Sequence, residues 1–161
     1  MSMFCYQCQE TARGNGCTIK GVCGKNETVT MLQDLLIYSL KGISEIVVKS
    51  EINIEENDEL NYQMLNSLFI TITNANFDED AIEKQIVKMI DLRDELKENI
   101  DSESLDDAAS FNVHGRENML EKAAKVGVLS TEDEDIRSLR EMITYGLKGM
   151  AAYTKHAWNL G

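Results

Sequence analysis

Four cysteines, Cys5, Cys8, Cys17 and Cys23, lie near the start of the 161-residue chain, and residues 24–161 contain no other. Their spacing is C-x2-C-x8-C-x5-C. In the close pair, Cys5 and Cys8, a tight turn can aim two thiolates at one site. Four thiolates without a nearby histidine suit either tetrahedral zinc or an iron–sulfur cluster. Zinc sites usually repeat the close pair, whereas here the second pair is spread wider, as the corners of an iron–sulfur cube demand. Zinc, a disulfide and free thiols remain alternatives on spacing alone. Phe4, Ile19 and Val22 are the apolar neighbours expected to exclude water. Gly14, Gly16, Gly21 and Gly24 are expected to bend the backbone and bring amides near sulfur.

The elements that must hold such a loop are helices. No stretch of residues 1–27 has a helical apolar period, so this segment reads as a cluster-binding loop. From Glu27 onward, Leu32, Leu35, Leu36, Leu40, Ile43, Ile46 and Val47 recur at steps of three and four, behind Asn26 as N-cap. A second helix is expected from Asp58 to Thr73, and a third after the cap Asp78, reaching Leu96. Residues 101–115 read as a loop. A short helix follows from Arg116 to Lys125 and is closed by Gly127 as a C′ glycine. Thr131 and Glu134 have capping-box spacing ahead of a last helix that reaches Asn159. The expected architecture is all-α, a helical bundle with an N-terminal cysteine-rich loop. It divides into residues 1–27, a first helical unit 28–100, and residues 101–161 as connecting loop and start of a second unit, within one compact domain.

The segment LQDLLIYSLKGIS at 32–44 matches LREMITYGLKGMA at 139–151, with Tyr38/Tyr145, Leu40/Leu147, Lys41/Lys148 and Gly42/Gly149 identical. Two related helical units are implied. A mid-helix glycine costs about 1 kcal/mol relative to alanine, so Gly42 and Gly149 are expected to mark close approaches. Tyr38 and Tyr145 read as packing residues, Lys41 and Lys148 as solvated lysines, and Met142 and Met150 as core filler. His114 and His156, the only histidines, read as structural rather than ligating.

The net charge is −12, and residues 1–25 carry Arg13, Lys20 and Lys25 against Glu10. The acidic remainder argues against nucleic acid as a partner, and the small basic excess lies where thiolate charge collects. No apolar run approaches the roughly 20 residues of a membrane span, and no signal peptide precedes the cysteines. The expected location is the cytoplasm, where thiols stay reduced.

The stretches MFCYQCQET, GCTIKGVCGK and LQDLLIYSLKGIS resemble the N-terminus of the hybrid-cluster (prismane, hydroxylamine reductase) proteins. TITNANFD and VGVLSTEDEDIRSLREMITYGLKGMAAYTKHAWNLG resemble later parts of the same domain. The resemblance implies helical bundles and a [4Fe–4S] cubane on Cys5, Cys8, Cys17 and Cys23; members with wider spacing carry a [2Fe–2S] centre. It further implies an anaerobe's oxidoreductase that reduces hydroxylamine to ammonia, or nitric oxide to nitrous oxide, at a second, hybrid cluster with ligands far downstream. Those ligands are missing here, since no cysteine follows Cys23. The chain is therefore expected to be an electron-transfer domain, excised or naturally short, and inactive alone. The ending HAWNLG favours truncation. Its expected partners are the remainder of such a protein and a small redox donor. The alternative is a zinc-stabilised helical interaction module. Self-association is expected through the last helix, where Ile136, Leu139, Ile143, Leu147, Met150 and Leu160 have core spacing.

Overall fold

Leu32, Leu35, Leu36, Ile43 and Ile46 of the first helix have no exposed surface, which puts that helix at the centre of the molecule. The computed structural model describes residues 3–50, 52–97 and 105–161. Its helices are α1 (Glu27–Lys49), α2 (Asp58–Ile70), α3 (Glu79–Leu96), α4 (Asp107–Ser110), α5 (Gly115–Val126) and α6 (Glu134–Trp158). The described residues contain no β-strand, only one isolated bridge between Cys5 and Cys17, so the all-α expectation is met. No helix is long and apolar enough to cross a membrane among the described residues.

Side-chain caps set most of the helix starts. Asn26 accepts from the Val29 amide at 2.8 Å and donates to Glu79 at 2.8 Å, so one cap also ties α1 to the start of α3. Asp78 caps α3 through the Ala81 amide. The cap of α6 is Asp133, which accepts from Ile136. The expected Thr131–Glu134 box does not form, because the helix starts at Glu134, which leaves Thr131 ahead of the cap, where its carbonyl and hydroxyl accept from Arg137 and Arg140 of α6. Helix α2 stops at Ile70, short of the expected Thr73, because the chain tightens into a turn that passes through Asn74 at φ 63°.

Helix α1 packs chiefly on α3 and is flanked by α4 and α5. Ile82, Ile86, Met89, Phe111, Met119 and Ala123 complete the apolar core. Gly42 admits α4, because a Cβ there would lie 2.0 Å from the Ala108 carbonyl oxygen. The close approach expected at Gly42 is therefore present, whereas Gly149 faces open space. Helix α4 itself lies within the expected 101–115 loop, whose residues 101–104 fall outside the described residues. Four residues are too short to show a period. Tertiary contacts hold it instead: Arg93, fully buried, donates to the Ala108 carbonyl and stacks over Phe111, while the Tyr38 hydroxyl donates to Asp107 at 2.5 Å.

Helix α6 lies against α2 through the Tyr62–Trp158 and Phe69–His156 ring pairs, and Lys155 donates to the Tyr62 hydroxyl at 2.6 Å. Only Lys148 and Ala151 of α6 are buried. Several expectations fail here, among them Tyr145, which is exposed rather than packed. Met142 and Met150 are exposed rather than core residues, and Lys148 is buried rather than solvated. Ahead of α6, Gly127 has φ −64°, so it does not close α5 in the left-handed conformation. It is small for another reason: a Cβ there would stand 3.0 Å from an Asp34 carboxylate oxygen.

Candidate metal centre

The cysteine loop is folded back on itself by the bridge between Cys5 and Cys17. Cys5 N–H donates to the Cys17 carbonyl at 3.0 Å, and Cys17 N–H returns a bond to Cys5 at 2.8 Å. The return requires Gly16, which has φ 114° and whose missing side chain leaves room for the Phe4 ring. Thr11 stitches the middle of the loop, donating its hydroxyl to the Cys5 carbonyl at 3.2 Å and its N–H to the Cys8 carbonyl at 3.2 Å. After Cys17 the chain turns again, with Gly21 N–H bonded to the Lys25 carbonyl at 2.8 Å just before α1 begins.

All four cysteines are free thiols; Cys17 is buried and the other three half-buried. The Ala12 amide donates to Cys17 Sγ at 3.4 Å, and the Thr11 hydroxyl lies 3.8 Å away. Backbone hydrogen bonding from Ala12 holds the Cys17 thiol below its ordinary range, against the opposing effect of burial and with help from Val22, Thr11 and Lys25. Lys25 is almost fully buried, with Nζ 4.0 Å from Cys5 Sγ and 2.6 Å from Gln33 Oε1. Gln33 passes its amide hydrogens to the Ile70 and Asn76 carbonyls, which fixes the lysine from behind.

Cys5 and Cys17 thus share one bridge, with Cys8 and Cys23 on the flanking turns. The side chains are not gathered further: among the described residues, no three His, Cys, Asp or Glu stand as a group ready to hold an ion. The donor chemistry nevertheless fits a thiolate-bound group, because amide donors and a buried ammonium both favour sulfur in its anionic form. The expected apolar cover is not there. Ile19 and Val22 are exposed at 88% and 62%, which leaves Phe4 as the packed apolar neighbour. His114 precedes α5 at its N-cap position, and His156 packs edge-on to Phe69.

Two groups at this site carried no sequence signal of their own. Gln7, between Cys5 and Cys8, donates its amide to the Thr71 carbonyl at 3.0 Å and accepts from Lys148 Nζ at 2.9 Å, with its orientation set by those two partners. Asp34, on α1, faces the start of the turn after Gly127. Burial lifts its carboxyl to about 7, opposed by the charge of Lys148. Burial likewise lowers the Lys148 ammonium to about 8, opposed by Asp34. A polar residue in a loop and an acid on a mostly apolar helix look like surface residues until the partner element is known.

Known proteins resemble the chain over its whole length. A hydroxylamine reductase of Acetivibrio thermocellus is 64% identical over the whole chain, which spans 30% of that protein. Hydroxylamine reductases of Clostridium perfringens and Clostridium novyi are 49% and 51% identical, again over the whole chain, which spans 31% and 30% of their lengths. The chain thus covers about three tenths of the relatives it matches. The Prismane/CO dehydrogenase family matches residues 3–161. With its cysteine loop and the six described α-helices inside that match, the chain belongs to the Prismane/CO dehydrogenase family.

Proposed function

We propose that this chain is the electron-entry domain of a hydroxylamine or nitric oxide reductase, holding a [4Fe–4S] cluster on Cys5, Cys8, Cys17 and Cys23. The observation that carries the reading is Cys17 Sγ, held by the Ala12 amide on a bridge to Cys5 whose own sulfur faces the buried Lys25. That set stabilises negative sulfur, and hydrogen bonds and charge at sulfur are the levers a protein uses on a cluster's potential. A cluster so bound would accept and release one electron at a time. The protein's part is to fix the thiolates, hold Lys25 Nζ beside them, and leave one side open through exposed Ile19 and Val22, where a donor could approach. Relatives named hydroxylamine reductase support the parent activity, and cysteines confined to residues 5–23 support a catalytic cluster housed outside this chain. The reading includes a cytoplasmic setting, a small donor protein, and self-association through α6.

A redox titration of the chain loaded with iron and sulfide tests it. We expect a single one-electron step and no enzymatic reduction of hydroxylamine. Sustained turnover by the loaded 161-residue chain would overturn the assignment.

A further inference from the structure

The lysine of the repeated Y-x-L-K-G segment has opposite fates in its two copies. Lys41 of α1 is exposed. Lys148 of α6 is 7% exposed, on a helix that is otherwise mostly open to solvent. Burying an ammonium is costly unless its hydrogen bonds and counter-charge are supplied. Asp34 from α1 and Glu141 from α6 supply the counter-charge, while Lys25 and Cys5 are the other charged or titratable groups that face it. The hydrogen bond goes to Gln7, and Gln7 in turn grips the C-terminal end of α2 at Thr71. One amide, placed between the two cysteines of the close pair, therefore ties the loop to two helices.

We propose that Lys148 is a positioning residue for the cysteine site: from α6, through Gln7, it clamps the turn that carries Cys5 and Cys8, and its charge favours the more electron-rich state of whatever the thiolates hold. The clamp stands on the protein's own contacts, whereas the charge effect rests on the proposed function. Packing alone would accept methionine at this position, since the four-carbon stem fills the seam without a charge to desolvate.

The clamp is read by amide hydrogen exchange on the metal-free chain at Cys5 and Thr11, whose N–H groups are bonded within the loop. Lys148→Met and Gln7→Ala should each speed exchange there by about tenfold, the scale of one lost charge-assisted hydrogen bond. The double variant should be no faster than either single, Lys148→Arg should keep most of the protection, and Lys41→Met should change nothing. Unchanged exchange in Gln7→Ala, or additive effects in the double variant, would overturn the clamp; the Gln7 test stands even if Lys148→Met fails to fold. In the iron-loaded protein, Lys148→Met should move the midpoint potential to more negative values while Lys148→Arg does not. An unmoved midpoint would overturn the charge effect. A wild-type chain that binds no iron would instead overturn the proposed function, and with it the charge effect, leaving the exchange cycle to judge the clamp.

Discussion

Cys17 and Asp34 are opposite cases of one principle, that a buried ionisable group takes the form its neighbours stabilise. Amide donors hold Cys17 toward thiolate, whereas the half-buried Asp34 carboxyl is desolvated with too little compensation and is lifted to about 7. Its unfolded value is near 3.8, so between these limits the folded protein keeps a proton that the unfolded chain has shed. Stability therefore falls as pH rises across that window. Lys148, lowered from 10.5 to about 8, has the reverse effect: the unfolded chain holds its proton longer, and stability rises again above about 8. Urea unfolding at a series of pH values should show the acid-side fall in the wild type and lose it in Asp34→Asn; an equal slope in both would refute the assignment to Asp34. The four cysteines stand out in the sequence by type and spacing, and their role as ligands is the proposal made above. Asp34, Gln7 and Lys148 do not stand out, since what makes them matter is a partner distant along the chain.

At the scale of elements, apolar period and the caps Asn26 and Asp78 made α1 and α3 readable almost to the residue. Helices α5 and α6 were readable from their period alone, since neither the Thr131 cap nor the Gly127 stop formed as expected. Helix α4 was invisible because four residues held by Arg93, Tyr38 and Gly42 carry no local pattern. The internal repeat was real in sequence but unequal in structure, and glycine shows the difference. Gly42→Ala would drive a methyl group into the Ala108 carbonyl, a backbone atom that cannot swing aside. It should destabilise by about 3 kcal/mol, the upper part of the usual overpacking range. Gly149→Ala meets nothing within 4 Å and should stabilise by up to about 1 kcal/mol through helix propensity. Urea midpoints of the two variants would settle the contrast, and a neutral Gly42→Ala would mean that α4 is not seated as described.

For the whole molecule, the main imbalance is α6. Leu139, Met142, Ile143, Tyr145 and Met150 are each more than half exposed, forming an open apolar face beside the narrow seam on α2. A face of this kind tends to find cover, so the isolated chain should self-associate with rising concentration. Sedimentation should show the shift, and Ile143→Glu should abolish it; a strict monomer at high concentration would contradict it. The cysteine loop sits at the other end of the same logic, a loop without apolar cover whose order depends on hydrogen bonds and, in the proposed function, on metal. That dependence is tested most directly by purifying the chain without oxygen and measuring iron, sulfide, zinc and the absorption spectrum together. We expect about four irons and four sulfides per chain and a brown protein, with iron lost in Cys8→Ser while helicity remains. A colourless protein that holds one zinc per chain, or a Cys8→Ser variant that keeps the full cluster spectrum, would contradict the account.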